Sequence, residues 1–238
     1  MNIALIGYGK MGKAIEEIAL TQGHNILFKI DINNLAELTN ENLKKCDVAI
    51  EFTTPENAVD NILQCFDAGA PVVCGTTGWL ARLEEVKQVC KEKNGTFLTT
   101  TNFSIGVNIF FEINKFAAQL MNPQKEYNVT IQEIHHTTKK DSPSGTAITL
   151  AEQVLQTIDW KTRWINDTTS NLHELEIISK RIDAAPGTHI IKYSSSVDEI
   201  EITHTAHNRQ GFAKGAVLAA EFLKGKKGIF TMKEVLGF

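Results

Sequence analysis

Between Glu133 and Ala147 the chain reads Glu-Ile-His-His-Thr-Thr-Lys-Lys-Asp-Ser-Pro-Ser-Gly-Thr-Ala, its densest group of side chains able to do chemistry. An imidazole titrates near neutrality, so His135 can give or take a proton at working pH. Lys139 can deliver a proton or pair with an anion, and His136 adds a second imidazole beside it. Ser144, Gly145 and Thr146 open an apolar stretch that reads as a helix from Gly145 to Ile158. Hydroxyls and unpaired N–H groups at the positive end of a helix make a receptor for a carboxylate. Each feature alone is ordinary: paired histidines often form a polar rim, and Pro-Ser-Gly-Thr often only caps a helix. Their coincidence in one short segment marks a functional centre, since such groups cluster where chemistry is done. No His/Cys/Asp triplet has a zinc-ligand spacing, and no metal is expected.

A second group of residues suits phosphates. Gly7-Tyr8-Gly9-Lys10-Met11-Gly12 follows an apolar run and opens a helical pattern. In that context a G-x-G-x-x-G loop turns tightly, brings backbone close to a pyrophosphate and lets the helix pack on the strand. Asp31 follows about 20 residues later, where an acid binds the ribose hydroxyls of a dinucleotide. Gly75-Thr76-Thr77-Gly78 and Thr100-Thr101-Asn102-Phe103 each end a later strand pattern, where open α/β sheets bind ligands. They are expected to line the nicotinamide side. A carboxylate at Asp31 repels a 2′-phosphate, and Ile32-Asn33-Asn34 offers no arginine for one, so NADH is expected to be preferred over NADPH. Together the two groups predict hydride transfer from a nicotinamide cofactor to a small anionic substrate.

The elements that must hold these residues fall into two kinds. Strand patterns at 2–6, 26–30, 47–52, 71–74 and 96–100 alternate with helical patterns at 11–21, 55–69 and 80–93, as βαβ units of a parallel sheet do. A helix over 105–121 follows, then strand patterns at 127–135, 175–182, 189–194 and 199–206, the last three with no helix between them. That change predicts an inserted α+β domain with an open mixed sheet. A final helical pattern over 212–223 returns to the first domain. The expected division is 1–104 with 210–238 for the Rossmann-type dinucleotide-binding domain, and 105–209 for substrate binding and oligomerisation. The stretch 159–175 matches no pattern; Trp160 and Trp164 suit either one helix face or a surface loop.

Composition excludes several functions. A net charge of −4 over 238 residues leaves no basic excess for nucleic acid. No apolar run approaches the ~18 residues that span a bilayer, and the N-terminus runs straight into the glycine loop without a signal peptide. Cys46, Cys65, Cys74 and Cys90 form no C-x-x-C pair and read as small hydrophobes in a reducing, cytoplasmic compartment.

His135-His136-x-x-Lys139-x-Asp141-x-Pro143-Ser144-Gly145-Thr146-Ala147 resembles the signature of the 4-hydroxy-tetrahydrodipicolinate (dihydrodipicolinate) reductase family. Phe52-Thr53-Thr54-Pro55-Glu56, Gly75–Gly78, Asn102–Asn108 and Glu201–His204 through Arg209 are similar to further motifs of that family, in the same order. The glycine loop is one residue shorter than the family's usual G-x-x-G-[RK]-M-G. The resemblance implies NAD(P)H-dependent reduction of 4-hydroxy-tetrahydrodipicolinate in lysine and diaminopimelate biosynthesis, by a homotetramer built on the sheet of the inserted domain. It further implies that His135 and Lys139 donate protons. His136, Lys139, Ser144, Gly145 and Thr146 would hold a dicarboxylate, and Arg209 would reach the cofactor. An amino-acid dehydrogenase of the same build and a non-enzymatic dinucleotide sensor are the alternatives. The first lacks a clustered site for a substrate amine, and the second needs no proton donors.

Overall fold

The computed structural model describes every residue except Arg209, so the expectation for that arginine lies outside the described residues. The chain divides into two compact units, Met1–Ile105 with Gln210–Phe238, and Gly106–Arg209. The first opens with β1 (Asn2–Ile6), α1 (Lys10–Thr21), β2 (Asn25–Ile30), α2 (Asn40–Leu43) and β3 (Val48–Glu51). It continues with α3 (Pro55–Ala68), β4 (Val72–Cys74), α4 (Leu83–Glu92) and β5 (Thr96–Thr99). Next come α5 (Ile105–Met121), β6 (Asn128–His135), α6 (Gly145–Leu155), β7 (Arg163–Ile165), β8 (Glu174–Arg181), β9 (Thr188–Ser194) and β10 (Glu199–Thr205). The chain then completes the first unit with α7 (Gln210–Leu223), β11 (Gly228–Phe230) and α8 (Met232–Leu236).

The first unit holds a six-stranded, all-parallel sheet in the order β11-β5-β4-β3-β1-β2. Its strands are apolar on both sides because helices cover both faces. Ala4, Ile6 and Ala49 pack with Ala58, Ile62 and Phe66 of α3. Ile3, Leu5 and Ile50 pack with Ile15 of α1 and Ala216 and Val217 of α7. β2 lies on one side of β1 and β3 on the other, so the order reverses there and leaves a ligand crevice at the strand ends. Pro55 begins α3 and Gly69, at φ 71°, ends it, as their residue types require. The helix expected over 80–93 is shorter. Buried Trp79 donates its indole N–H to Thr76 O at 2.8 Å, Leu80–Arg82 is a single 3₁₀ turn, and the α-helix begins at Leu83.

The second unit holds a mixed sheet in the order β10-β9-β6-β8-β7. β6 pairs parallel with β8 and antiparallel with β9. Its burial alternates strictly along β6, with Val129, Ile131, Glu133 and His135 turned inward. Ile131 lies opposite Ile177 and Ile191, and this row packs with Phe110 and Phe111 of α5 and with Leu150 and Val154 of α6. The Asn114 amide of α5, fully buried, donates to Leu150 O at 3.1 Å and Gln153 Oε1 at 2.9 Å, joining the two helices without leaving those acceptors unpaired. The sheet's other face, including Thr130, Gln132, Ile178 and Ile190, borders a shallow cleft. α6 stops at Leu155 rather than Ile158. Trp160 and Trp164 share no helix: Trp160 lies in a turn, and Trp164 sits on β7 opposite Leu175. No helix among the described residues is long and apolar enough to cross a membrane.

Candidate active site

In the first unit the glycine loop joins β1 to α1. Gly7 has φ +97°, and a Cβ there would lie 1.9 Å from Phe52 O, so only glycine fits. Gly9 caps α1 with no side-chain hydrogen bond, the first turn carries no acid, and a Cβ there would meet nothing within 4 Å. A helix N-terminus left open in this way is a cradle for an anion. A cleft of about 600 Å³ is bordered by Gly7, Tyr8, Gly9, Asp31 and Ile32. A second, of about 490 Å³, is bordered by Gly9, Lys10, Met11, Gly75, Thr76 and Thr77. Gly12 is buried where α1 leaves the loop, and its Cβ would strike Gly7 O at 2.3 Å.

Asp31 ends β2 in a fixed turn: its Oδ1 accepts from Asn33 N and its own N–H donates to Asn34 Oδ1, both at 2.7 Å. Tyr8 donates to Glu16, which also holds Lys29 at 2.7 Å, so that cation is already paired. Exposed Ile32 and Leu35 add an apolar rim on which a base can rest. An open helix end, an acid at the cleft and an apolar rim fit a dinucleotide. The loops are braced from beneath by fully buried Glu51, which accepts from Thr53 N at 3.1 Å and from the Cys74 thiol at 3.0 Å. Thr53 N also donates to Thr76 Oγ1 at 2.7 Å. The Thr100–Phe103 segment borders neither cleft. Thr100 and Asn102 bond to each other within the loop, and Phe103 is 3% exposed with its ring 5.7 Å from that of Phe52, so its side chain is core.

In the second unit three strands converge on one buried group. β6 register sets Glu133 opposite Ser179 and His189, and His135 opposite Arg181. Glu133 is fully buried; its Oε1 accepts from Arg181 at 3.0 Å and from Ser144 N at 3.1 Å, and its Oε2 lies 2.7 Å from His135 Nδ1. Burial works to raise this carboxyl's pKa, but His135, Ser144, Ser179 and Arg181 outweigh it and hold the group well below the usual carboxylate range. His189 is driven the other way: burial, then the charges of His135 and Lys139, lower it to about 3, so it is neutral. The Ser144 hydroxyl caps α6 by accepting from Ala147 N at 3.2 Å and pairs with His189 Nε2 at 3.1 Å. Lys139 holds both Asp141 oxygens at 2.8 Å, and His136 Nδ1 meets Thr138 Oγ1 at 2.7 Å. Gly145 starts α6 with open space at its Cβ position, and Thr146 follows half-buried. The fold thus gathers an imidazole, an ammonium and a serine-capped helix N-terminus at one end of this sheet.

Residues 1–103 match the family profile described as dihydrodipicolinate reductase, N-terminus, and residues 106–236 match dihydrodipicolinate reductase, C-terminus. The chain belongs to the dihydrodipicolinate reductase family. It is 50% identical over 238 residues to the 4-hydroxy-tetrahydrodipicolinate reductase of Christiangramia forsetii, covering 99% of this chain and 98% of that one. The enzyme of the same name from Thermosipho africanus is 32% identical at the same coverage. A dipicolinate-bound dihydrodipicolinate reductase from Paenisporosarcina sp. TG-14 shares the fold, with a TM-score of 0.77, 22% identity and 97% of both chains covered. This membership makes the protein an oxidoreductase and sets aside the dehydrogenase and sensor alternatives.

Sequence reasoning missed Glu133, Arg181 and His189. One signal was available: a glutamate two residues before His135 in a strand shares its inward face, and a buried carboxylate needs partners. The partners themselves come from β8 and β9 and are visible only in the register. Glu133, His135 and His189 also place three potential metal-ligand atoms within 4.8 Å of one another, an arrangement no linear spacing shows. Arg181 already neutralises the carboxylate, and a 2.7 Å approach of Glu133 to His135 is tighter than two ligands each about 2.1 Å from one zinc ion adopt. The group suits a proton better than a cation.

Proposed function

We propose that this protein reduces 4-hydroxy-tetrahydrodipicolinate with NAD(P)H in lysine and diaminopimelate biosynthesis, the first unit holding the dinucleotide and the second the dicarboxylate substrate. The observation that carries this reading is the family match through both units at 50% identity to a full-length reductase. The loop Gly7–Gly12 and the open end of α1 receive the pyrophosphate, and Asp31 takes the adenosine ribose. Gly75, Thr76 and Thr77, which border the second cleft, take the nicotinamide side. Bound there, the cofactor supplies the hydride. His135 and Lys139 supply the proton, and His136, Lys139, Gly145 and Thr146 receive the carboxylates. Ser144 contributes as the cap that orders the α6 N-terminus, since its hydroxyl is engaged by Ala147 N and His189. Lys139 exchanges Asp141 for the substrate, because both anions need the same ammonium.

NADH is the preferred cofactor in this reading. Asp31 faces the cleft where a 2′-phosphate would sit, and Lys29 is tied to Glu16. The uncovered face of the second sheet, with Ile178 and Ile190, supports assembly into a homotetramer. Four free cysteines accord with a reducing cytoplasm. The direct test follows nicotinamide absorbance while the substrate is made in place from pyruvate and aspartate semialdehyde. Oxidation of NADH that needs both precursors and is inhibited by dipicolinate is expected. A folded protein that binds dinucleotide but oxidises neither NADH nor NADPH would refute the activity.

A further inference from the structure

Glu133 Oε2 and His135 Nδ1 are both buried, stand 2.7 Å apart, and have no hydrogen-bonding partner elsewhere among the described residues. A buried carboxylate oxygen and a buried ring nitrogen in that position satisfy each other only if the nitrogen carries a proton. Arg181 and Ser144 N hold the other carboxylate oxygen, so Glu133 cannot turn away. The opposite side of the imidazole is clear for a different reason. Gly187, at φ +153°, lies beside it, and a Cβ there would come within 3.0 Å of His135 Nε2. His189 packs against the ring at 5.1 Å between centroids, fixing its plane.

We infer that Glu133 is a positioning residue that keeps a permanent proton on His135 Nδ1, so that Nε2 is the nitrogen that gives up a proton to the substrate. The N–H bond broken is that of Nε2, the electron pair stays on the ring, and solvent replaces the proton. This role rests on reading His135 as the proton donor. The other titratable groups around the pair are Arg181 from β8, His189 from β9, Lys139 and Asp141 from the loop, and, beyond His189, His204 from β10. Arg181 pairs with Glu133 and Lys139 with Asp141, and among the described residues Glu133 is the one carboxylate in contact with the His135 ring.

The test compares Glu133→Gln with His135→Ala and wild type. Glu133→Gln should lower kcat by about 10²–10⁴-fold, the upper figure being what losing the carboxylate anchor of a catalytic histidine costs, with KM for the dinucleotide unchanged. Its rate should fall away at lower pH on the alkaline side than wild type, and Glu133→Asp should restore part of the loss. An unaltered kcat and pH profile in Glu133→Gln, with His135→Ala inactive, overturns the inference alone. Full activity in His135→Ala overturns the role of His135 itself. Nitrogen-15 NMR of the wild-type imidazole decides the matter without any variant: neutral His135 should carry its proton on Nδ1, and a proton on Nε2 would refute the assignment.

Discussion

The two sites are built from opposite materials. The proposed dinucleotide site is made of backbone and of missing side chains: Gly7 makes room for Phe52 O, and Gly9 leaves α1 open. The second site is made of charged side chains drawn into a sheet face that is apolar only two residues away, where Ile131 gives way to Glu133 and His135. A site of backbone tolerates surface change and fails on added bulk. A site of buried charge tolerates small steric change and fails when one partner is removed. That contrast can be attacked from both sides.

The largest effect is expected from Gly7→Ala. Its Cβ meets Phe52 O at 1.9 Å at a backbone angle foreign to alanine, so the first unit should lose more than about 4 kcal/mol of stability and its dinucleotide binding. Near-normal cofactor titration would show that the loop can relax. In the second site, His135→Ala should cost about 10²–10⁴-fold in kcat while cofactor affinity holds. Lys139→Ala should in addition raise substrate KM. Unchanged steady-state kinetics in either variant would leave that residue a purely structural role.

A smaller effect concerns acid. His189 is lowered to about 3 from 6.5, so between those values the unfolded chain binds a proton that the folded chain does not. Stability therefore falls as pH drops below 6.5, by about 2 kcal/mol at pH 5 for this group. His189→Asn should lose less between pH 7 and pH 5 than wild type in thermal melts. Parallel losses would mean that His189 is not held neutral. The smallest effect is at Asp31. Asp31→Ser should shift the ratio of kcat/KM toward NADPH by about tenfold, or ~1.4 kcal/mol. A wild type that favours NADPH would already contradict the preference.

The same contrast explains what was legible in the sequence. The glycine loop, the strand–helix alternation and the ends of α3 and α5 are local patterns, and they read directly. The Thr231-Met232-Lys233-Glu234 capping box of α8 was equally local but was passed over. β7 and β11 are three residues each, too short to show a period, and exist because Leu175 and Phe97 lie beside them. Phe103 sat in a loop motif and turned out to be core, because a loop's sequence does not say which side chain folds back. His135 and Lys139 stood out by residue type. Glu133, Arg181 and His189 did not, since 48 residues separate Glu133 from Arg181 and only strand register brings them together.

The first unit is discontinuous, and this orders events on the ribosome. α7 supplies Ala213, Ala216, Val217, Ala220 and Leu223 to one side of the sheet, and β11 completes its edge. A nascent chain carrying only Met1–Ile105 therefore has one face of its parallel sheet bare of that cover. The second unit emerges in one piece and can fold while translation proceeds. The first unit cannot complete its sheet until Gln210–Phe238 have left the exit tunnel. Premature termination in Gln210–Phe238 would thus release a protein whose second unit is whole and whose first unit is an aggregation-prone, half-covered sheet.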